Sequence, residues 1–134
     1  MPHCVILYTP NIESKTNLDV LCRSLADTML SIRDEQGKQV FPTGGTRVLA
    51  YPAAHYAVAD GKGDYAFVSV NVRMGAGRTA EVQKTAGDRL MEVVKQHFAP
   101  VFEKGLIGIT LQVDESPGQV YDGKHSTLHP LFNK

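Results

Sequence analysis

The chain repeats one order of predicted elements, strand, helix and strand, in residues 2–59 and again in residues 65–114. Parallel strands in one sheet need a long crossover connection, and each half contains a helical one. We therefore predict an α/β (α+β) fold, in which one domain over residues 1–134 forms a four-stranded mixed sheet with two helices on one face. Its other face is expected to pack against an oligomer partner, because uncovered apolar strand positions favour assembly.

Apolar and β-branched residues define the predicted strands. The segment 3–8 is almost continuously apolar, which is typical of a central strand. A second extended stretch is predicted over 46–59, where Pro52 favours an edge or a bulge because proline has no N–H for the ladder. Alternation over 65–74 predicts the third strand, and 106–113 is predicted to be the fourth.

Two helices are predicted from apolar residues that recur at intervals of three and four. Ser14, Thr16 and Asn17 are candidate caps of the first helix, and Gly37 is its predicted stop. The second helix is expected to end at Gly105. Its apolar face, predicted within 80–103, comprises Val82, Ala86, Leu90, Val93, Val94, Phe98, Val101 and Phe102.

Composition gives no bulk reason to expect a polyanionic partner. The chain has 14 Lys and Arg against 14 Asp and Glu, so nucleic acid and anionic membranes are not expected to bind. No signal peptide or membrane-spanning segment is visible. The cysteines, Cys4 and Cys22, fit buried free thiols. We therefore predict a cytoplasmic protein.

Pro2 stands at the head of the first predicted strand, where a chain end tied into a sheet does not fray. Removal of Met1, which is usual before a small second residue, would turn the Pro2 nitrogen into a secondary amine. An amine held at the end of a buried strand can act as a base. Retention of Met1 would leave an amide there and remove that role.

Two arginines follow glycine-containing loops at the ends of predicted elements. Arg47 follows the Gly-Gly-Thr loop 44–46, and Arg78 follows the Gly-Ala-Gly loop 75–77. Glycine allows backbone to approach a ligand closely, and a guanidinium binds carboxylates through paired hydrogen bonds. The alternative for either arginine alone is a surface ion pair or a helix-end contact.

The remaining motifs do not favour a nucleotide-binding site or a metal site. Residues 75–79 lack the third glycine and the later acidic residue of a dinucleotide-binding turn. His125 and His129 have the spacing of metal ligands on a helix, but the missing third ligand favours two surface or interface histidines. His97 is expected to be partly buried and hydrogen-bonded, and 60–64 is expected to be a turn.

The opening Met-Pro-His, the strand Asp64–Val68, the Gly-Ala-Gly-Arg sequence 75–78 and the closing His-Pro-Leu-Phe 129–132 occur together here. With them the chain resembles, over nearly its whole length, the 5-carboxymethyl-2-hydroxymuconate isomerase family. That family belongs to the tautomerase superfamily, which also includes 4-oxalocrotonate tautomerase. The resemblance implies the tautomerase fold, assembled as a homotrimer with the sheets lining its inside.

The resemblance also implies the catalytic residues, which are Pro2, Arg47 and Arg78. Pro2 would move a proton along a conjugated 2-hydroxydienoate, a small di- or tricarboxylate from the degradation of aromatic compounds. Burial and nearby cations both lower an amine pKa, and the arginines would hold carboxylates and the dienolate charge. No metal or organic cofactor is implied.

The repeat adds a prediction about stoichiometry. The first strand of the second half begins inside the chain and has no free amine, so we expect one active site per chain. Residues 115–134 are expected to dock on a neighbouring subunit. Two alternatives remain: a related reaction, namely another tautomerisation, a hydration or a dehalogenation of an unsaturated acid, or a non-catalytic trimeric binding or signalling protein.

Overall fold

A computed structural model describes residues 3–132. The strands are β1 (His3–Tyr8), β2 (Val48–Pro52), β3 (Tyr65–Met74) and β4 (Leu106–Glu115). The helices are α1 (Leu18–Ser31), α2 (Ala80–Lys104) and the short α3 (Leu128–Phe132), and 3-10 turns occupy Pro10–Ile12 and Thr43–Gly45. Within the described residues, no helix has both the length and the apolar character needed to cross a membrane.

The strands form one mixed sheet in the order β2-β1-β3-β4, which confirms the predicted four-stranded architecture. The pairs β1/β2 and β3/β4 are parallel, and β1 and β3 pair antiparallel in the centre. Pro52 ends β2, an edge strand, where its missing N–H leaves no ladder bond unmade. The predicted extended stretch 46–59 was too long. The Ala53 amide donates a hydrogen bond to the Tyr8 carbonyl, and beyond Ala53 the chain leaves the sheet.

Side-chain caps fix where the two long helices begin. Asn17 Oδ1 accepts a hydrogen bond from the Val20 amide at 3.2 Å, and Thr79 Oγ1 accepts one from the Val82 amide at 3.2 Å. The predicted stop of α1 at Gly37 is wrong. The helix ends at Ser31, and Gly37 instead takes a φ of +79° in the hairpin that follows.

Both long helices pack on the same face of the sheet, as predicted. Strand alternation sends every second residue into this core. The largest fully buried side chains are Phe41, Phe98, Ile6, Ile12, Leu21, Leu25, Met29, Ile32, Met74, Leu90, Val68 and Val70. Phe102, predicted on the apolar face of α2, is 51% exposed, because Val101 takes the core-facing position of that turn.

The opposite sheet face, which we call the open face, carries apolar side chains that no helix within residues 3–132 covers. Alternation from the buried Cys4, Ile6 and Tyr8 places their odd-numbered neighbours on it. Its exposed apolar residues are Leu7, Leu49, Tyr51, Phe67 and Leu106. An apolar surface of this kind marks an interaction face.

Candidate active site

The start of β1, the start of β2 and the end of β3 lie at one end of the sheet. The Cys4 amide donates to the Arg47 carbonyl at 2.9 Å, which sets Arg47 beside β1. His3 pairs with Arg73, so β3 reaches the same end and continues into the loop that carries Arg78. The topology thus brings together segments that are far apart in sequence.

Pro2, the predicted base, lies outside the described residues. His3, the next residue, begins β1 beside Arg73. Pro2 is therefore adjacent in sequence to the strand that begins where the segments bearing the two arginines come together.

Arg47 is exposed and lies between a 3-10 turn and β2. Its Nη1 donates to the Gly45 carbonyl at 3.3 Å. A groove of about 630 Å³ adjoins it, with Cys22 and Arg23 of α1 on one side and Phe132 of α3 on another. The sequence did not predict these groove residues, because nothing in their spacing links α1 or α3 to the start of β2.

Arg78 is half-buried in the loop between β3 and α2. Its Nη2 donates to the carbonyl of Val40 at 2.9 Å. Among residues 3–132, no carboxylate forms an ion pair with Arg78. The guanidinium is therefore held by a neutral acceptor, which leaves its charge available to an anionic ligand.

Acidic residues also reach this end of the sheet, and sequence reasoning missed them. Asp114 and Glu115 end β4, opposite Arg73 and Met74. Each carboxylate accepts from a side-chain amide: Asp114 from Asn71 at 2.6 Å, and Glu115 from a glutamine of α2 at 2.7 Å. Strand register, which the sequence pattern did not fix in advance, decides their position.

The candidate histidines lie on three different segments. His97 Nε2 is 2.7 Å from Thr16 Oγ1, and burial lowers the pKa of this histidine. His129 lies in α3, whereas His125 precedes it in irregular structure. No group of three or more His, Cys, Asp or Glu in the 3–132 range could hold a metal ion.

Both cysteines are free thiols. Cys4 is fully buried, and desolvation raises the pKa of its thiol to about 12, with a further contribution from Cys22. Cys22 is only half-buried. Burial keeps the Cys4 thiol protonated at neutral pH and away from solvent, which is the environment of a structural cysteine.

The fold defines the class of protein. A fused 4-OT protein has a similar fold, with a TM-score of 0.52 at 22% identity over 87% of this chain and 85% of that one. The chain therefore has a tautomerase-like fold.

Closer relatives define the family. The profile of the 5-carboxymethyl-2-hydroxymuconate isomerase family matches residues 2–132, and this chain belongs to that family of isomerases. The Escherichia coli 5-carboxymethyl-2-hydroxymuconate Delta-isomerase is 30% identical over 98% of this chain and 99% of its own length.

Two solved structures support the same assignment. A crystal structure of a 5-carboxymethyl-2-hydroxymuconate delta-isomerase is 48% identical, with a TM-score of 0.95 over 100% of this chain and 94% of that one. The isomerase from Deinococcus radiodurans R1 is 30% identical, with a TM-score of 0.85 over 99% and 95% of the two chains. The predicted family and fold are therefore confirmed.

Proposed function

We propose that this chain isomerises 5-carboxymethyl-2-hydroxymuconate by moving a proton along the conjugated dienol, with Pro2 as base and acid. The supporting observation is the hydrogen bond from the Cys4 amide to the Arg47 carbonyl at 2.9 Å, together with the pairing of His3 with Arg73. Both contacts bring arginine-bearing segments to the end of the sheet at which β1 begins. The substrate class follows from the relatives, which are named for this reaction.

The chemistry needs one group that first accepts and then donates a proton. The amine of Pro2 takes the proton of the 2-hydroxyl, which leaves a dienolate and a protonated amine. The protonated amine then delivers the same proton to a carbon further along the conjugated substrate, which gives the 2-oxo product and the free amine. An α-amino group has a pKa of about 7.7–8.0 and a secondary amine starts higher, so nearby cations are needed to lower it.

The two arginines would bind the substrate carboxylates and stabilise the dienolate as its charge develops. Arg78 is suited to this role because it is held by a neutral carbonyl. This acceptor does not neutralise the charge of the guanidinium before the substrate binds. Arg47 lies next to a groove that is large enough for a small polycarboxylate, about 630 Å³.

We also propose a homotrimer. The open face presents apolar side chains on all four strands, and the fused 4-OT protein of the same fold is described as a symmetric trimer. Val120 and Tyr121 project fully from the segment between β4 and α3, which supports docking of residues 115–134 on a neighbouring subunit. One free amine per chain gives one active site per chain.

The compartment we propose is the cytoplasm. Two free thiols, one of them fully buried, suit a reducing environment.

The direct test is the rate of conversion of 5-carboxymethyl-2-hydroxymuconate, followed by its ultraviolet absorbance. Pro2→Ala, with removal of Met1 verified by mass spectrometry, is expected to lower kcat by about 100-fold or more. Arg47→Ala and Arg78→Ala are each expected to lower kcat/KM by about 100-fold to 1,000-fold. Arg89→Ala is the matched control, since Arg89 lies on α2 and bonds only Ser31 Oγ among the described residues.

Two results would contradict the proposal. A Pro2→Ala variant as active as the parent would exclude Pro2 from the mechanism. A basic limb of kcat/KM that continues to rise well above about pH 9 would contradict a lowered amine pKa. If the parent instead turns over haloacrylates or another 2-hydroxydienoate faster than 5-carboxymethyl-2-hydroxymuconate, the substrate assignment is wrong while the scaffold chemistry stands.

A further inference from the structure

Residues 33–39 form a closed hairpin directly after α1. Arg33 and Gln39 form an antiparallel bridge, and Gly37 adopts the left-handed conformation at the turn. Asp34 closes the hairpin from within. Its Oδ1 accepts hydrogen bonds from the amides of Gln36 and Lys38, each at 2.9 Å, and its own amide donates to the Lys38 carbonyl at 2.9 Å.

This hairpin is joined to the Arg78 loop by two hydrogen bonds. Val40, the residue that follows the hairpin, supplies the carbonyl for Arg78 Nη2 at 2.9 Å. Glu35 Oε2, at the hairpin tip, accepts from Thr79 Oγ1 at 3.0 Å. Since Thr79 also caps α2, the hairpin holds both the arginine and the start of the helix behind it.

The carbonyl of Val40 is itself fixed in place. Val40 is buried, and its amide donates to the Ile32 carbonyl at 3.1 Å. The peptide that anchors Arg78 therefore spans the base of the hairpin, between the core on one side and Asp34 and its turn on the other. A change that opens the hairpin would remove one of the two supports of this carbonyl.

Charge supports the same arrangement. The pKa of Asp34 is lowered, first by its hydrogen bond from the Lys38 amide and further by the positive charge of Arg78 among other groups. The Asp34 carboxylate therefore lies near the Arg78 guanidinium, but it accepts its hydrogen bonds from backbone amides of its own hairpin. A bidentate salt bridge to Arg78 would instead occupy the face of the guanidinium that an anionic ligand needs.

We propose that Asp34 is a positioning residue, which keeps the hairpin closed and thereby aims the Arg78 guanidinium at the substrate. This inference rests on the proposed role of Arg78. It predicts that the two hydrogen bonds accepted by Asp34 Oδ1 account for most of its contribution. Asparagine retains an Oδ1 that can accept both amides, whereas alanine retains none.

The test measures kcat/KM for 5-carboxymethyl-2-hydroxymuconate in a double-mutant cycle. Asp34→Ala is expected to lower kcat/KM by about tenfold to 100-fold, the scale of a misplaced binding group. Asp34→Asn should restore activity to within about twofold of the parent, because the two amides keep their acceptor. In an Arg78→Ala background, Asp34→Ala should change the rate by less than about twofold, because the group that it positions is gone.

A control and a second variant keep the test decisive. Asp60 closes another exposed turn in the same way, accepting from the Lys62 amide at 3.0 Å, so Asp60→Ala should leave kcat/KM within about twofold of the parent. Should Asp34→Ala fail to fold, Glu35→Ala is the second variant, and among the described residues it cuts only the link to Thr79. That variant is expected to lose about twofold to tenfold in the parent and nothing further in Arg78→Ala.

The outcomes separate the two proposals. A loss with Asp34→Ala that is equally large in the Arg78→Ala background would overturn the positioning role, and so would full activity of Asp34→Ala beside an impaired Arg78→Ala. Full activity of Arg78→Ala would instead remove the proposed function of Arg78 and the positioning role with it.

Discussion

Gly44 lies against the backbone of His129, so closely that a Cβ at position 44 would be 3.1 Å from the Cα of His129 and 3.3 Å from the Leu128 carbonyl oxygen. The 3-10 turn that precedes Arg47 is thus packed directly on α3. Because Phe132 of the same short helix lines the groove beside Arg47, the packing of α3 shapes the proposed site.

Gly44→Ala is expected to displace α3 and lower the free energy of unfolding by about 1–3 kcal/mol, because backbone atoms rather than a flexible side chain oppose the new methyl group. Urea unfolding followed by circular dichroism measures this change. Gly75→Ala is the matched control, since a Cβ there meets nothing within 4 Å. Equal stability of the two variants would contradict the close contact between Gly44 and α3.

Two phenylalanines on α2 should differ sharply in their contribution to stability. Phe98 has 0% exposure and Phe102 has 51%, although they are one turn apart. Phe98→Ala is expected to cost about 3–5 kcal/mol, the range for a large buried aromatic side chain, and Phe102→Ala less than about 1 kcal/mol in the monomer. Thermal or denaturant unfolding of both variants compares them directly, and equal losses would contradict the orientation of the last turns of α2.

The open face is predicted to hold the oligomer together. Leu7→Glu puts a charge on it and should dissociate the assembly, because a buried unpaired carboxylate is strongly unfavourable. Sedimentation equilibrium should then give the 14.6 kDa monomer, against about three times that mass for the parent.

Val20→Glu is the control for that experiment. Val20 of α1 is 52% exposed, close to the 54% of Leu7, but it lies on a helix rather than on the open face. It should leave the mass of the assembly unchanged. A monomeric parent, or a Leu7→Glu variant with the mass of the parent, would show that this face is not the interface.

His97 predicts a dependence of stability on pH. Burial lowers its pKa in the folded state, so the unfolded chain binds the proton more tightly. The stabilisation is fully present above the unfolded pKa of about 6.5 and is lost as the pH falls from there through the lowered folded pKa. The free energy of unfolding should therefore decrease with falling pH across that window.

Replacing the histidine removes the effect. His97→Gln is expected to flatten the curve of unfolding free energy against pH below about 6.5. A His97→Gln variant with the slope of the parent would show that another group is responsible.

Local patterns were enough to predict much of the fold. Strict alternation identified β3 with the bounds that the structure has, and the intervals of three and four placed α2 to within one residue of its end. These patterns work because burial on one side of a strand or helix constrains residues that are close in sequence. The predicted roles of Pro2, Arg47 and Arg78 came from resemblance, and those roles remain predictions.

The sequence by itself determined the periodicity of the elements and their order along the chain, and therefore the four-stranded sheet with both long helices on one face. Only the tertiary structure decided that the Val40 carbonyl anchors Arg78, that Gly44 touches α3, and that Val101 rather than Phe102 faces the core. The physical reason is that these contacts join residues on different elements or depend on how a turn meets the core, so no local pattern of residues encodes them.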